Sequence, residues 1–165
     1  MPLMTWNVTA ERFDSPDATG LRRDYYDEVA SRYWKRPATA AEIADGLSGD
    51  GAELLLPPTG QFVVGRRGGL PASCAGLLLT PEAGSGTAEL TRVYVRPAFR
   101  GTGGGGLLLA AAEAEARALG VRLLRLDTRS DLVEARGLYA KHGFREVPAF
   151  HHRNPYAEHW FAKEL

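Results

Sequence analysis

Cysteine is nearly absent. Cys74 stands alone among 165 residues, so no disulfide forms within the chain, and a reducing cytoplasm is the expected setting. Apolar runs are short, and none approaches the ~18 residues of a membrane-crossing helix. Met1 to Val8 has neither a basic start nor an apolar stretch, so no secretory leader is expected. Neither sign of charge is in excess, with 20 basic and 20 acidic side chains. That balance argues against a general nucleic-acid binder, which needs a surplus of bases. His and Cys show no ligand spacing, so no metal is expected.

What is present suits one globular domain over residues 1–165: hydrophobic residues make up 44% and charged ones 24%, enough to build a core without staples. The charges are unevenly placed. Residues 1–50 hold 9 acids and 6 bases, whereas 51–100 hold 3 and 5. Arg92, Arg96 and Arg100 make the middle locally positive, and a polyanionic ligand is the expected reason for their placement.

Periodicity and capping residues predict the order β-α-α-β-β-β-α-β-α-β-β. Thr5 to Phe13 reads as a strand. Ser15-Pro16 starts a helix that Pro37 limits, and Thr39 with Glu42 forms a capping box for a second helix ending near Gly46. A meander follows, with strands at Gln61–Val64, Ala72–Leu79 and Ala88–Val95. Gly104 to Leu119 is a helix stopped by Gly120, and Val121 to Thr128 is a strand parallel to the one before it. Asp131 and Glu134 would cap a helix running to His142, before strands at Phe144–Phe150 and His159–Glu164.

The segment Arg100-Gly101-Thr102-Gly103-Gly104-Gly105-Gly106 places five glycines directly before a helix. Glycine lets a backbone approach a ligand closely, and a helix N-terminus presents free N–H groups and partial positive charge. Phosphate is the natural guest. A P-loop would need Lys and then Ser or Thr after the last glycine, but Leu107 follows Gly106. The dinucleotide pattern G-x-G-x-x-G is met by Gly101, Gly103 and Gly106, with Asp127 as its ribose acid. Two features oppose it: five residues separate strand from glycine, and only 38 residues follow Asp127.

The surroundings favour a third reading. Arg100-Gly101-Thr102-Gly103-Gly104-Gly105 resembles the R-G-x-G-x-G/A signature of the GCN5-related N-acetyltransferases. Glu89-Leu90-Thr91-Arg92 before Val93-Tyr94-Val95 is similar to that family's fourth strand, and Ala135 to Phe144 to its A-x-x-L-Y-x-x-x-G-F helix end. The resemblance implies a mixed α/β sheet, mostly antiparallel, with one splayed parallel pair. It implies acetyl-CoA as cosubstrate, its pyrophosphate on Arg100, Gly101, Thr102, Gly103, Gly104, Gly105 and Gly106 and its pantetheine along Val93, Tyr94 and Val95. The implied reaction is direct acetyl transfer to a primary amine, small-molecule or peptide. Homodimers are frequent in the family.

Tyr139 is the implied proton donor to the departing thiolate and would also touch the cofactor; a packed core ring is its plainer role. Glu89 and Asp127 compete as general base, with Glu89 preferred; an ion pair and a helix cap are their plainer roles. The family often has Asn seven residues before the Tyr, where Leu132 stands here. His151 and His152 would approach the acceptor side, surface positions being their plainer outcome. Asp24-Tyr25-Tyr26-Asp27-Glu28 would suit a cationic amine or a solvated helix face. A non-catalytic acyl-CoA-binding or sensing module is the competing reading.

Overall fold

Ser15 begins the first helix as its chemistry dictates: its hydroxyl accepts from the Ala18 N–H at 3.1 Å while Pro16 occupies the first helical turn. In the computed structural model, which describes residues 4–165, this helix α1 spans Pro16–Trp34 after strand β1 (Trp6–Ala10). Part of the leader reading falls on residues 1–3 and so lies outside the described residues. Helix α2 (Ala40–Leu47) carries the expected capping box, with Thr39 and Glu42 each bonding the other's backbone N–H. Strands β2 (Gly60–Arg67), β3 (Leu70–Leu79) and β4 (Thr87–Val95) form the meander. Helix α3 (Gly104–Ala118), strand β5 (Leu123–Thr128), helix α4 (Val133–Lys141) and strands β6 (Arg145–Val147) and β7 (His159–Glu164) complete the chain.

The seven strands lie in the order β1-β2-β3-β4-β5-β7-β6, antiparallel except for β4 beside β5. Alternation of side chains along the meander gives the sheet two apolar faces. Val63, Ala75 and Leu77 pack with Leu108, Leu109 and Ala112 of α3 on one face. Phe62, Val64 and Cys74 meet Ala18 and Leu21 of α1 on the other. Among the described residues, no helix is long and apolar enough to cross a membrane.

The element order is as expected, but several boundaries are not; β2 runs on to Arg67 instead of stopping at Val64, and β5 begins at Leu123 instead of Val121. The first strand stops at Ala10 because residues 11–15 turn into α1, Ser15 N–H donating to the Arg12 carbonyl at 3.2 Å. Asp131 and Glu134 do not cap α4, whose N-cap is Leu132 without a side-chain bond. Arg129 takes Asp131, and Arg32 of α1 takes Glu134. The predicted strand Phe144–Phe150 shrinks to Arg145–Val147, since the Phe144 N–H is used on the Tyr139 carbonyl at 3.0 Å to close α4.

The parallel pair is short. Thr87, Ala88 and Glu89 pair with Leu123, Leu124 and Arg125, and β4 then leaves β5. The cause lies on the other side of β4, where the β3 register shifts between Cys74 and Gly76. Arg92, opposite that shift, adopts φ 53°, a left-handed conformation costing about 1–2 kcal/mol for a residue with a Cβ. A bulge of this kind bends its strand and increases the twist. From Leu90 to Val95 the β5-facing edge of β4 therefore has no strand partner, leaving backbone N–H and C=O groups for another ligand.

Candidate active site

Two adjoining cavities occupy the opened seam between β4 and β5. The first, about 370 Å³, runs from the glycine loop along Val93, Tyr94 and Val95 to α4. The second, about 480 Å³, lies over Glu89, Arg92 and Asp127. Tyr25, Val29, Val93, Leu132 and Ala135 line both, so the two spaces meet at that point.

The glycines of the loop divide by job. Gly101 and Gly103 hold φ of 75° and 85°, and a Cβ on either would meet nothing within 4 Å, so their freedom is needed for the backbone shape. Gly104, Gly105 and Gly106 sit against side chains instead, and a larger residue at any of them would require a neighbour to move, most severely at Gly104. A Cβ there would stand 2.1 Å from the Trp6 ring, 2.9 Å from Leu138 and 2.8 Å from His142, respectively. Trp6 also donates its indole N–H to the Thr102 hydroxyl at 3.1 Å, which in turn donates to the Phe99 carbonyl at 2.6 Å. A tryptophan from the first strand thus pins the loop from behind. Sequence reading missed it, since nothing local marks a contact 96 residues away.

The N-terminus of α3 has no side-chain cap, with Gly103 as its N-cap residue. Its first N–H groups lack intrahelical partners and open onto the first cavity, carrying the positive end of the helix dipole. A pyrophosphate fits this cradle, and an extended amide-bearing arm fits the unpaired edge of β4. Val93, Tyr94, Val95, Arg100, Gly101 and Gly103 to Gly106 line this cavity, whereas Thr102 and Tyr139 are absent from its lining.

The three central arginines are not left free for an anion. Arg92 reaches Asp50 at 3.3 Å, Arg96 reaches Asp24 at 2.9 Å, and Arg100 reaches both Glu28 oxygens at 2.8 Å. The acid-rich first third and the arginine-rich centre neutralise each other, holding the turn after α2 to β4 and α1 to the segment that follows β4. This corrects the expectation that the local excess is reserved for phosphate. Only Arg100 of the three lines the first cavity, and phosphate must compete there with Glu28.

Asp50 is the buried centre of this clamp. Burial works to raise its carboxyl, but the Ala52 N–H, Arg92, Arg22 and Tyr26 outweigh that and hold it below the ordinary value.

In the second cavity, Glu89 and Asp127 come together from neighbouring strands, as the sequence suggested they would. His151 bridges them, its Nε2 standing 3.3 Å from Glu89 Oε1 and 3.1 Å from Asp127 Oδ2. The alignment makes a hydrogen bond to neither, so both ring nitrogens stay buried and unsatisfied by the protein. Arg153 pairs with Glu89, and Asn154 donates to Asp127 at 3.0 Å. His152 instead packs edge-on against Trp160 at 6.4 Å and takes no part.

Tyr139 lines this second cavity, its ring edge-on to Phe144 at 5.7 Å and tilted on Phe161 at 6.0 Å. Burial pushes its phenol well above the ordinary value of 10.0. Burial likewise drives the Cys74 thiol up to about 12, and that inert thiol donates to the Arg92 carbonyl at 3.4 Å. Leu132, standing in the expected Asn position, lines both cavities with an apolar surface.

Residues 18–144 match the Acetyltransferase (GNAT) family. The chain is 36% identical over 98 residues to an IAA acetyltransferase of Azospirillum brasilense, covering 59% of this chain and 63% of that protein. It is 43% identical over 72 residues to an amino-acid acetyltransferase of Azotobacter vinelandii, covering 44% of this chain and 16% of that one. The matches thus span less than two thirds of either relative. The fold is shared with the PaiA N-acetyltransferase of Thermoplasma acidophilum, whose structure is a complex with coenzyme A (TM-score 0.74, 15% identity, 98% and 100% of the chains covered).

Proposed function

The chain belongs to the acetyltransferase (GNAT) family, and from that premise we propose that it transfers an acetyl group from acetyl-CoA directly to a primary amine. The observation that carries this reading is the meeting of the two cavities beside β4: one has an anion cradle and an open strand edge, the other two carboxylates and a phenol. The thioester supplies the activated acetyl group. The uncapped amides of α3 hold the pyrophosphate, and the β4 edge at Val93 to Val95 holds the pantetheine amides.

Glu89, with Asp127 beside it, takes a proton from the incoming ammonium, so that the nitrogen lone pair is free to attack. As the C–N bond forms and the C–S bond breaks, Tyr139 gives its proton to the thiolate and recovers one from the new amide nitrogen. The carboxylic acid then loses its proton to water, which closes the balance. An ordinary phenol is a weak acid toward an ordinary thiolate. A thiolate kept from water is more basic, as the Cys74 thiol raised to about 12 by burial illustrates, and burial raises the Tyr139 phenol in the same direction, so acid and acceptor shift together.

Mass spectrometry of a panel of primary amines incubated with acetyl-CoA tests the proposal. The expected product is the singly acetylated amine with an equal yield of free thiol. Tight binding of acetyl-CoA with no acetylated amine in the panel would favour the sensing module.

A further inference from the structure

The second cavity is unusually rich in one residue type. Four of the chain's six tyrosines line it: Tyr25 and Tyr26 from α1, Tyr139 from α4, and Tyr156 from the segment before β7. A fifth, Tyr33, stands edge-on behind Tyr156 at 4.9 Å and carries the Arg129 guanidinium 5.4 Å above its ring. Tyr26 is tied to Asp50 by its hydroxyl at 3.1 Å, and Tyr25 is wedged edge-on against Tyr26 and Tyr94 at 5.4 and 6.2 Å. These rings are fixed walls. Tyr156, at the mouth, remains about half exposed (49%).

The charges in the same cavity are sorted as clearly. Its two arginines are spoken for. Arg92 donates to the Asp50 carbonyl at 2.6 Å and the Thr91 hydroxyl at 3.1 Å, besides pairing with the Asp50 carboxylate. Arg129 grips Asp131 through two nitrogens and donates to the Val29 carbonyl at 2.8 Å. Both guanidiniums already pair with carboxylates, and the Arg92 Nε, which has no partner, is buried away from solvent, so neither offers an accessible unpaired donor to an anionic group on a ligand. Glu89 and Asp127 face only His151, Asn154 and Arg153, and the Arg153 side chain is largely in solvent, at 57% exposure.

We infer that the acceptor is an arylalkylamine, a primary amine on a short chain bearing an aromatic ring and no carboxylate. The ammonium meets Glu89 and Asp127, and the ring enters among the tyrosines, where edge-to-face and offset contacts add to the burial of apolar area. Tyr156 closes the mouth over that ring. An acidic group on the ligand would find no free cation inside the cavity. This assignment rests on the acetyl-transfer reading for its chemistry but not for its binding geometry, so the two are separable.

The experiment compares phenethylamine, phenylalanine, n-butylamine and spermidine, reading affinity by calorimetry in the presence of CoA and turnover by thiol release from acetyl-CoA. Phenethylamine is expected to bind and react at least roughly tenfold better than each of the others. In Tyr156→Ala, the phenethylamine affinity is expected to fall toward that of butylamine, while the melting temperature stays close to that of the parent. Preference for phenylalanine would overturn the inference by showing that Arg153 or another cation receives a carboxylate. Preference for spermidine would overturn it by showing that the rings surround a second ammonium. Equal affinity for phenethylamine and butylamine would overturn it as well. Absence of turnover with all four amines would count against acetyl transfer, while the affinity order would still decide the acceptor class.

Discussion

Gly103→Asp is expected to abolish measurable CoA binding, lowering affinity at least ~100-fold, while leaving the protein folded. Gly103 is the N-cap of α3 at φ 85°, with open space where a Cβ would project. Any side chain bears the left-handed strain, about 1–2 kcal/mol, although Asp tolerates that region better than most residues. An aspartate here also places a carboxylate at the positive end of the helix, where it satisfies the amides that would otherwise take phosphate. The helix therefore loses little and the anion site loses its donors and gains a repelling charge. Gly103→Ala carries the strain without the charge and is expected to bind CoA more tightly than the aspartate variant. Calorimetry on both variants checks this, and parental affinity in Gly103→Asp would remove the loop from the cofactor site.

Tyr139→Phe is expected to lower kcat by ~100-fold or more, with KM for acetyl-CoA changed only a few-fold. Phenylalanine keeps the ring that packs on Phe144 and Phe161, so the melting temperature should hold. The pH profile gives a second readout. Tyr139 acts as an acid, so its contribution is present below its pKa and lost as pH rises through it. Burial raises that pKa above the ordinary 10.0, so the proton is retained throughout the range in which amines shed theirs. The parent's rate should therefore climb with pH as the amine deprotonates and show no descending limb near 10. A kcat unchanged in Tyr139→Phe would leave the phenol as a core ring only.

The sequence made the scaffold legible where the signals are local. Ser15-Pro16, the Thr39–Glu42 box, and the stops at Gly120 and Gly143 rest on hydrogen bonds within a few residues, and the structure has helix boundaries at those places. Asp131 and Glu134 show the limit of such reasoning. They have the spacing of a box, but Arg129 and Arg32 bind them more strongly through charge. The same limit governed the arginines of the centre. Counting charges along the chain could not show that Asp24, Glu28 and Asp50 fold back onto Arg96, Arg100 and Arg92.

In the site, the glycine loop was legible as a place, but only partly for its reason. Gly101 and Gly103 serve backbone shape, while Gly104 to Gly106 make room for Trp6, Leu138 and His142. The convergence of four tyrosines was legible only in part, through the Tyr25-Tyr26 pair. Tyr139 and Tyr156 reach the same cavity from distant segments, and no periodicity links them to α1. The splay itself follows from one left-handed arginine in β4, a backbone state that a sequence of ordinary strand formers does not announce.

In the proposed reaction the acetyl group passes between the two cavities without a covalent stop on the protein. Rapid quench followed by intact-protein mass spectrometry, with and without phenethylamine, tests it most directly. Thiol release is expected only when the amine is present, with no acetylated protein at any time. A burst of thiol from acetyl-CoA alone, with acetyl retained on the chain, would contradict it.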